Sequence, residues 1–219
     1  MIKACIFDLD GVIVDTAKYH YQAWKKMAKM LGFDFNPEQN EQLKGVSRMD
    51  SLNLILQWGK IDLNETDKLK WATRKNDWYL ENLNKMDQSE ILPGVLDFIK
   101  DLKQKRIKIG LGSSSKNAVL ALSKVDMLDY FEIIIDGTKT TRSKPDPQVF
   151  QLGAKALNCQ PAECLVFEDA ESGIEAARAG GFKCVGLGNP ITLGKANLVL
   201  PSLKGLTLDQ IENKIDRNH

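Results

Sequence analysis

A short apolar run at residues 2–7 stops abruptly at Asp8-Leu9-Asp10-Gly11, and this junction restricts the possible folds more than any other stretch. A nearly continuous hydrophobic run of that length reads as a strand buried on both faces, the habit of parallel sheets. In open α/β sheets, ligands sit in the crevice beyond the carboxyl ends of such strands. Strand periodicity aims Asp8 and Asp10 the same way, and Gly11 lets the chain turn sharply after them. Two like charges so placed repel, raise a pKa or recruit a cation. Asp-x-Asp-Gly is also a common turn sequence, so the junction alone leaves both readings open. A calcium loop starting here is excluded, because Val12 and Tyr19 fall where it needs an acidic ligand and a glutamate.

The rest of the chain divides in two by pattern. From Thr16 the period changes to 3.6, and residues 16–31 align Tyr19, Ala23, Met27 and Met30 before Gly32, which predicts a helix with a glycine at its C-terminal end. Further helices are expected near 38–44, 48–58 and 65–84, with breaks at Gly45 and Gly59 and no strand among them. After Leu92-Pro93-Gly94 the pattern alternates. Strands at 107–112, 131–135, 163–168 and 182–187 follow helices at 95–104, 117–124, 147–157 and 171–179. A last strand near 198–200 and a helix from about 207 complete the chain. That alternation predicts a doubly wound parallel sheet, an α/β fold with a helical insert of about 70 residues after the first strand.

Composition excludes whole classes of function. The 219 residues carry a net charge of +1, 43% hydrophobic and 27% charged, an ordinary globular balance. Near-neutrality gives no reason to expect nucleic acid or a membrane surface. Cys5, Cys159, Cys164 and Cys184 show no C-x-x-C spacing and read as buried free thiols, which suits a reducing compartment. The first residues enter a strand directly and no apolar run approaches ~20 residues, so the expectation is a soluble, cytoplasmic protein. Nothing calls for an obligate oligomer, and a monomer is expected.

Chemistry-bearing residues stand at the ends of the predicted strands: Asp8 and Asp10, Ser113, Lys144, then Glu168 and Asp169. In a parallel sheet those ends share one edge. Four carboxylates beside one lysine make a negative pocket that suits a divalent cation with oxygen ligands, and phosphoryl groups often complete the coordination of Mg²⁺. The ordered set Asp8-x-Asp10-Gly11-Val12, Ser113, Lys144-Pro145 and Glu168-Asp169 resembles the haloacid dehalogenase superfamily of phosphotransferases over essentially the whole chain. Asp15-Thr16-x-x-x-His20, Lys44-Gly45-Val46-Ser47-Arg48, residues 112–117 and Asp136-Gly137 resemble its sugar-phosphate mutase branch.

The resemblance implies a Rossmann-like core, residues 1–15 and 88–219, with an inserted α-helical cap at 16–87. It implies that Asp8 takes the phosphoryl group, that Asp10 is the general acid/base, and that Ser113 and Lys144 hold the transferring oxygens. Mg²⁺ would be held by Asp8, the Asp10 carbonyl, Glu168 and Asp169. Thr16 would mark the first hinge, with the return hinge near 87–93, and His20 and Lys75 would lie on the cap face over Asp10. Lys44, Gly45, Val46, Ser47 and Arg48 would specify the sugar phosphate, with Arg48, Ser115, Lys116 and Asn117 on its distal phosphate. Hexose phosphates are the expected partners, and the expected reaction exchanges the 1- and 6-phosphates of β-glucose through a bisphosphate. Physical chemistry adds that Asp10 can donate a proton near neutral pH only if its pKa is raised.

Each residue also has a plainer reading. A histidine on a helix or an arginine at a helix end is commonly structural or solvated. Residues 113–117 could serve as a helix cap, and Glu168-Asp169 could favour the start of the next helix. Lys75 shares its helix with Lys68, Lys70 and Arg74, and Trp24, Trp58, Trp71 and Trp78 read as core or surface of the insert. Two rival functions remain open at this point: a phosphatase on the same scaffold, for which Arg48 matters less, and a non-enzymatic binding protein.

Overall fold

The computed structural model describes residues 1–217. Six strands form one parallel sheet: β1 (Ala4–Phe7), β2 (Lys108–Gly112), β3 (Ile133–Ile135), β4 (Cys164–Glu168), β5 (Lys183–Leu187) and β6 (Leu198–Leu200), in the order β3-β2-β1-β4-β5-β6. The order reverses between β1 and β4, and at such a switch point the flanking loops part to leave a crevice. Asp8 and Glu168 end the two strands that border it.

β1 shows why the sheet strands read as unbroken apolar runs. Cys5 and Phe7 face one core layer and Ala4 and Ile6 the other, all fully buried. Phe7 stacks on Phe167 of β4 at 4.6 Å between ring centres, and Phe98 closes on both edgewise. Phe98 belongs to α5 (Val95–Gln104), which packs on that face with α6 (Ala118–Lys124) and α10 (Leu208–Arg217). α7 (Gln148–Ala156), α8 (Glu171–Ala179) and the short α9 (Pro190–Leu193) cover the opposite face.

The insert is helical, as the pattern predicts: α1 (Ala17–Met30), α2 (Pro37–Glu41), α3 (Arg48–Trp58) and α4 (Glu65–Leu83). It has its own core of Trp24, Met27, Ala28, Phe35, Leu52 and Ile55, among others. Ser47 caps α3 by accepting from the Asp50 amide, and Asn64 caps α4 the same way. Gly32 adopts φ +89° just past α1, the left-handed conformation for which glycine is suited.

Three expectations need correction. The buried stripe of α1 is Ala23, Trp24, Met27 and Ala28, whereas Met30 is 47% exposed. The helix packs on α4 on one side and on the insert core on another, so its buried face is wider than one heptad-like row. The second helix ends at Glu41, and residues 42–45 form turns that deliver Lys44 and Gly45 toward the sheet. The third strand begins at Ile133, because Leu128–Tyr130 form a 3₁₀ turn that carries the chain to the sheet.

Candidate active site

The acid pair after β1 is held by its own backbone. Asp8 Oδ2 accepts from the Asp10 amide at 3.0 Å, and Asp8 Oδ1 accepts from Lys144 Nζ at 2.6 Å. Lys144 also donates to Glu168 Oε1 at 2.6 Å and to the Gly112 carbonyl at 3.1 Å, so three strand ends meet at one fully buried ammonium. Burial alone would lower Lys144, but Asp8 and Glu168 outweigh it and its pKa is raised. Glu168 Oε2 accepts from the amides of Asp169 and Ala170.

Two glycines make room for the acids. A Cβ on Gly11, at φ +78°, would overlap the Asp169 carboxyl, and a Cβ on Gly173 would overlap the Glu168 carboxyl. Asp8, Glu168 and Asp169 each offer an oxygen within 4.8 Å of the others. Burial, with Asp8 close by, raises both Glu168 and Asp169 to about 7. Lys44 reaches Asp169 from the helical insert at 3.2 Å, while also pairing with Glu41. Three carboxylates thus meet beside two ammonium groups, and hard oxygen donors with a negative excess fit a divalent metal ion.

Asp10 sits differently. Burial and the neighbouring Asp8 raise it to about 6, the direction proton donation requires. Thr16 Oγ1 donates to Asp10 Oδ1, and His20 Nε2 lies 3.7 Å from the same oxygen. His20 Nδ1 is 2.8 Å from Lys75 Nζ. Burial, then Lys75 and Arg48, hold the imidazole well below its usual range. A neutral imidazole that accepts from Lys75 at Nδ1 carries its proton on Nε2, toward Asp10. Lys75 is itself depressed to about 7 by burial and by Arg48, and it lies over the Trp24 ring at 4.4 Å.

A second group of donors borders the same cavity, a space of about 470 Å³. Arg48, Ser115, Lys116 and Asn117 line it together with Asp8 and Asp169. Arg48 Nη2 and Asn117 Nδ2 both donate to Asn76 Oδ1, at 2.7 and 2.9 Å. The insert is closed onto the sheet. Ser114 Oγ donates to the Gly45 carbonyl at 2.7 Å, Ser172 Oγ to the Lys44 carbonyl at 2.9 Å, and Ser143 Oγ to Asp50 Oδ2 at 2.8 Å.

Of the residues singled out in the sequence, Asp8, Asp10, His20, Lys44, Gly45, Val46, Ser47, Arg48, Lys75, Ser115, Lys116, Asn117 and Asp169 all border this cavity. Thr16, Lys144 and Glu168 lie behind its wall, bonded to Asp10 or Asp8 or to each other. Ser113 is not on the wall: it is fully buried, and its Oγ accepts from the Ser115 amide, shaping the loop. Asn76, Tyr79, Ser143 and Gly173 were not anticipated. Trp24 is core of the insert as expected, but one edge of it also borders the cavity. Tyr79 is fully buried, stacks on His20 at 4.1 Å, and its hydroxyl has no partner among the described residues. No sequence signal marks these residues: Asn76, Tyr79 and Ser143 owe their places to contacts between distant segments, and Gly173 to the Glu168 carboxyl lying against it.

Comparison with known proteins places this geometry. The description of haloacid dehalogenase-like hydrolases matches residues 5–187. The β-phosphoglucomutase of Bacillus subtilis is 40% identical over 215 residues, 97% of this chain and 95% of that protein. The crystal structure of β-phosphoglucomutase from Clostridium difficile superposes with a TM-score of 0.95 at 43% identity, covering 99% of this chain and 98% of that one. A phosphorylated carbohydrates phosphatase of Thermotoga maritima is 30% identical over 90% of each chain.

Proposed function

The chain belongs to the haloacid dehalogenase-like hydrolase family, and from that premise we infer that it is a phosphomutase interconverting β-glucose 1-phosphate and glucose 6-phosphate. The observation that carries this reading is one cavity under the closed insert whose wall holds both the acid proposed to take the phosphoryl group and a separate set of phosphate-binding donors. Asp8, with Lys144 bonded behind it, borders the same cavity as Arg48, Ser115, Lys116 and Asn117, the residues we assign to the second phosphate. A phosphatase needs one phosphate site, whereas a mutase must hold a sugar phosphorylated at both ends.

In this reading Asp8 Oδ attacks the phosphorus of a sugar bisphosphate or monophosphate, and the sugar oxygen leaves with a proton supplied by Asp10. In the return step the free hydroxyl of the rebound sugar attacks the aspartyl phosphate, and Asp10 takes its proton. A carboxylate attacks a phosphate only when their mutual repulsion is offset, and Lys144 supplies part of that offset. Asp8, the Asp10 carbonyl, Glu168 and Asp169 would hold Mg²⁺, which when bound supplies further positive charge to the transferring oxygens. Ser113 shapes the loop that presents Ser115 and Asn117, and because its Oγ only accepts from the Ser115 amide, its hydroxyl proton is left to donate to the transferring phosphoryl group.

The His20 Nε2 proton, fixed by Lys75 at Nδ1, and the Thr16 hydroxyl together orient Asp10. Lys44, Gly45, Val46, Ser47 and Arg48 form the wall that selects the sugar phosphate. Residues 16–87 act as a cap on the core formed by 1–15 and 88–219. Its closure excludes water that would hydrolyse the aspartyl phosphate. No helix among the described residues is long and apolar enough to cross a membrane, and the substrates are small hexose phosphates.

The test is formation of glucose 6-phosphate from β-glucose 1-phosphate with a trace of bisphosphate primer, followed beside release of inorganic phosphate. Isomerisation with little phosphate release is expected. Phosphate release without isomerisation would overturn the mutase reading in favour of a phosphatase.

A further inference from the structure

Two hydrogen bonds converge on a single side-chain oxygen where the cap meets the core. Asn76 Oδ1 accepts from Arg48 Nη2 at 2.7 Å and from Asn117 Nδ2 at 2.9 Å. Arg48 opens α3, Asn76 lies within α4, and Asn117 ends the loop after β2, so three separate elements share one acceptor. Arg48 and Asn117 border the cavity, while Asn76 stands behind them. An amide oxygen has two lone-pair sites, and both are occupied here. Fixing that oxygen therefore fixes both donors relative to each other.

We propose that Asn76 is a positioning residue: its side-chain oxygen sets the separation of Arg48 and Asn117 so that their remaining donors converge on the phosphate farther from Asp8. The inference rests on the reading above, in which those two residues bind that phosphate.

Three physical points carry it. Arginine loses much rotamer freedom when it captures an anion, and a partner that already holds one of its five N–H groups removes part of that loss beforehand. The acceptor is a neutral amide, so it orients the guanidinium without cancelling the charge that attracts phosphate. Asn117 belongs to the core and Asn76 to the cap, so the bond between them forms only on closure, placing the distal donors at a set distance from Asp8. The residue before it, Lys75, bonds His20, whose Nε2 faces Asp10. One turn of α4 thereby touches both the Asp10 partner and the distal donors.

The experiment uses Asn76→Ala and Asn76→Leu, both good helix formers and neither an acceptor. Two quantities are measured: KM for β-glucose 1-phosphate, and the rate at which acetyl phosphate, too small to reach the distal donors, phosphorylates Asp8. Both variants should raise KM about tenfold and leave the phosphorylation rate within about twofold of wild type. On an Arg48→Ala background, Asn76→Ala should add about threefold or less to KM, because only Asn117 is then left for it to position. An unchanged KM, an undiminished effect on the Arg48→Ala background, or a parallel loss of phosphorylation would overturn the proposal. Wild-type protein that phosphorylates Asp8 yet isomerises no sugar would overturn the mutase reading, and this inference with it.

Discussion

Replacing Lys75 with methionine should make the protein more stable and less active. Lys75 is 2% exposed, and burial together with Arg48 depresses it from 10.5 to about 7. Holding that ammonium in the fold costs on the order of 5 kcal/mol at low pH, taking about 1.4 kcal/mol per pH unit of depression. Contacts over Trp24 at 4.4 Å and Tyr79 at 5.2 Å return about 1–2 kcal/mol. The hydrogen bond to His20 returns about 1 kcal/mol more. Methionine keeps the packing without the charge, so Lys75→Met should gain about 2–3 kcal/mol.

The sign fixes the pH dependence. Between about 7 and 10.5 the unfolded chain binds more protons at this position than the folded one, so wild-type stability rises with pH through that window. The advantage of methionine is therefore largest below about pH 7 and fades toward about 10.5. Urea unfolding at about pH 6 and about pH 9.5 measures it. A less stable variant at the lower pH, or a difference equal at both, would refute the reasoning. Activity should fall in either case, since His20 loses the donor that fixes its tautomer.

Other substitutions probe the remaining parts of the site. Gly173→Ala should displace the Glu168 carboxyl that its Cβ would overlap, weakening Mg²⁺ binding by calorimetry about tenfold or more with little change in helical circular dichroism. Arg48→Ala should cut mutase kcat/KM by about 10²-fold or more while sparing hydrolysis of small monophosphates, seen by comparing the two assays on one preparation. Thr16→Val should remove the hydroxyl that lowers Asp10. The pKa governing proton donation then rises above about 6, and the pH–rate profile shifts to higher pH.

The reacting end of this site was legible from sequence because its residues follow strands. A buried parallel strand announces itself by an apolar run, so Asp8, Lys144, Glu168 and Asp169 could be assigned to one sheet edge before any contact was known. The distal donors needed the resemblance as well: Arg48 alone looks like any charged helix end. Asn76, Tyr79 and Gly173 left no trace, because nothing local distinguishes an exposed helical asparagine from one bridging cap and core. The α1 stripe was misread at Met30 for a related reason. A helix with two packing partners buries more than one row, and the second partner is invisible to a periodicity taken on its own. Ser113 shows the opposite case, a position correctly placed at a strand end whose hydroxyl is turned into its own loop.

The central claim concerns a covalent bond on the first acid after β1. Intact-mass measurement of protein quenched during turnover of β-glucose 1-phosphate, with peptide mapping, tests it most directly. Wild type should carry one phosphoryl group on Asp8, and Asp8→Asn should carry none and fail to form glucose 6-phosphate. Turnover surviving in Asp8→Asn, or a phosphoryl group found on another residue, would contradict it.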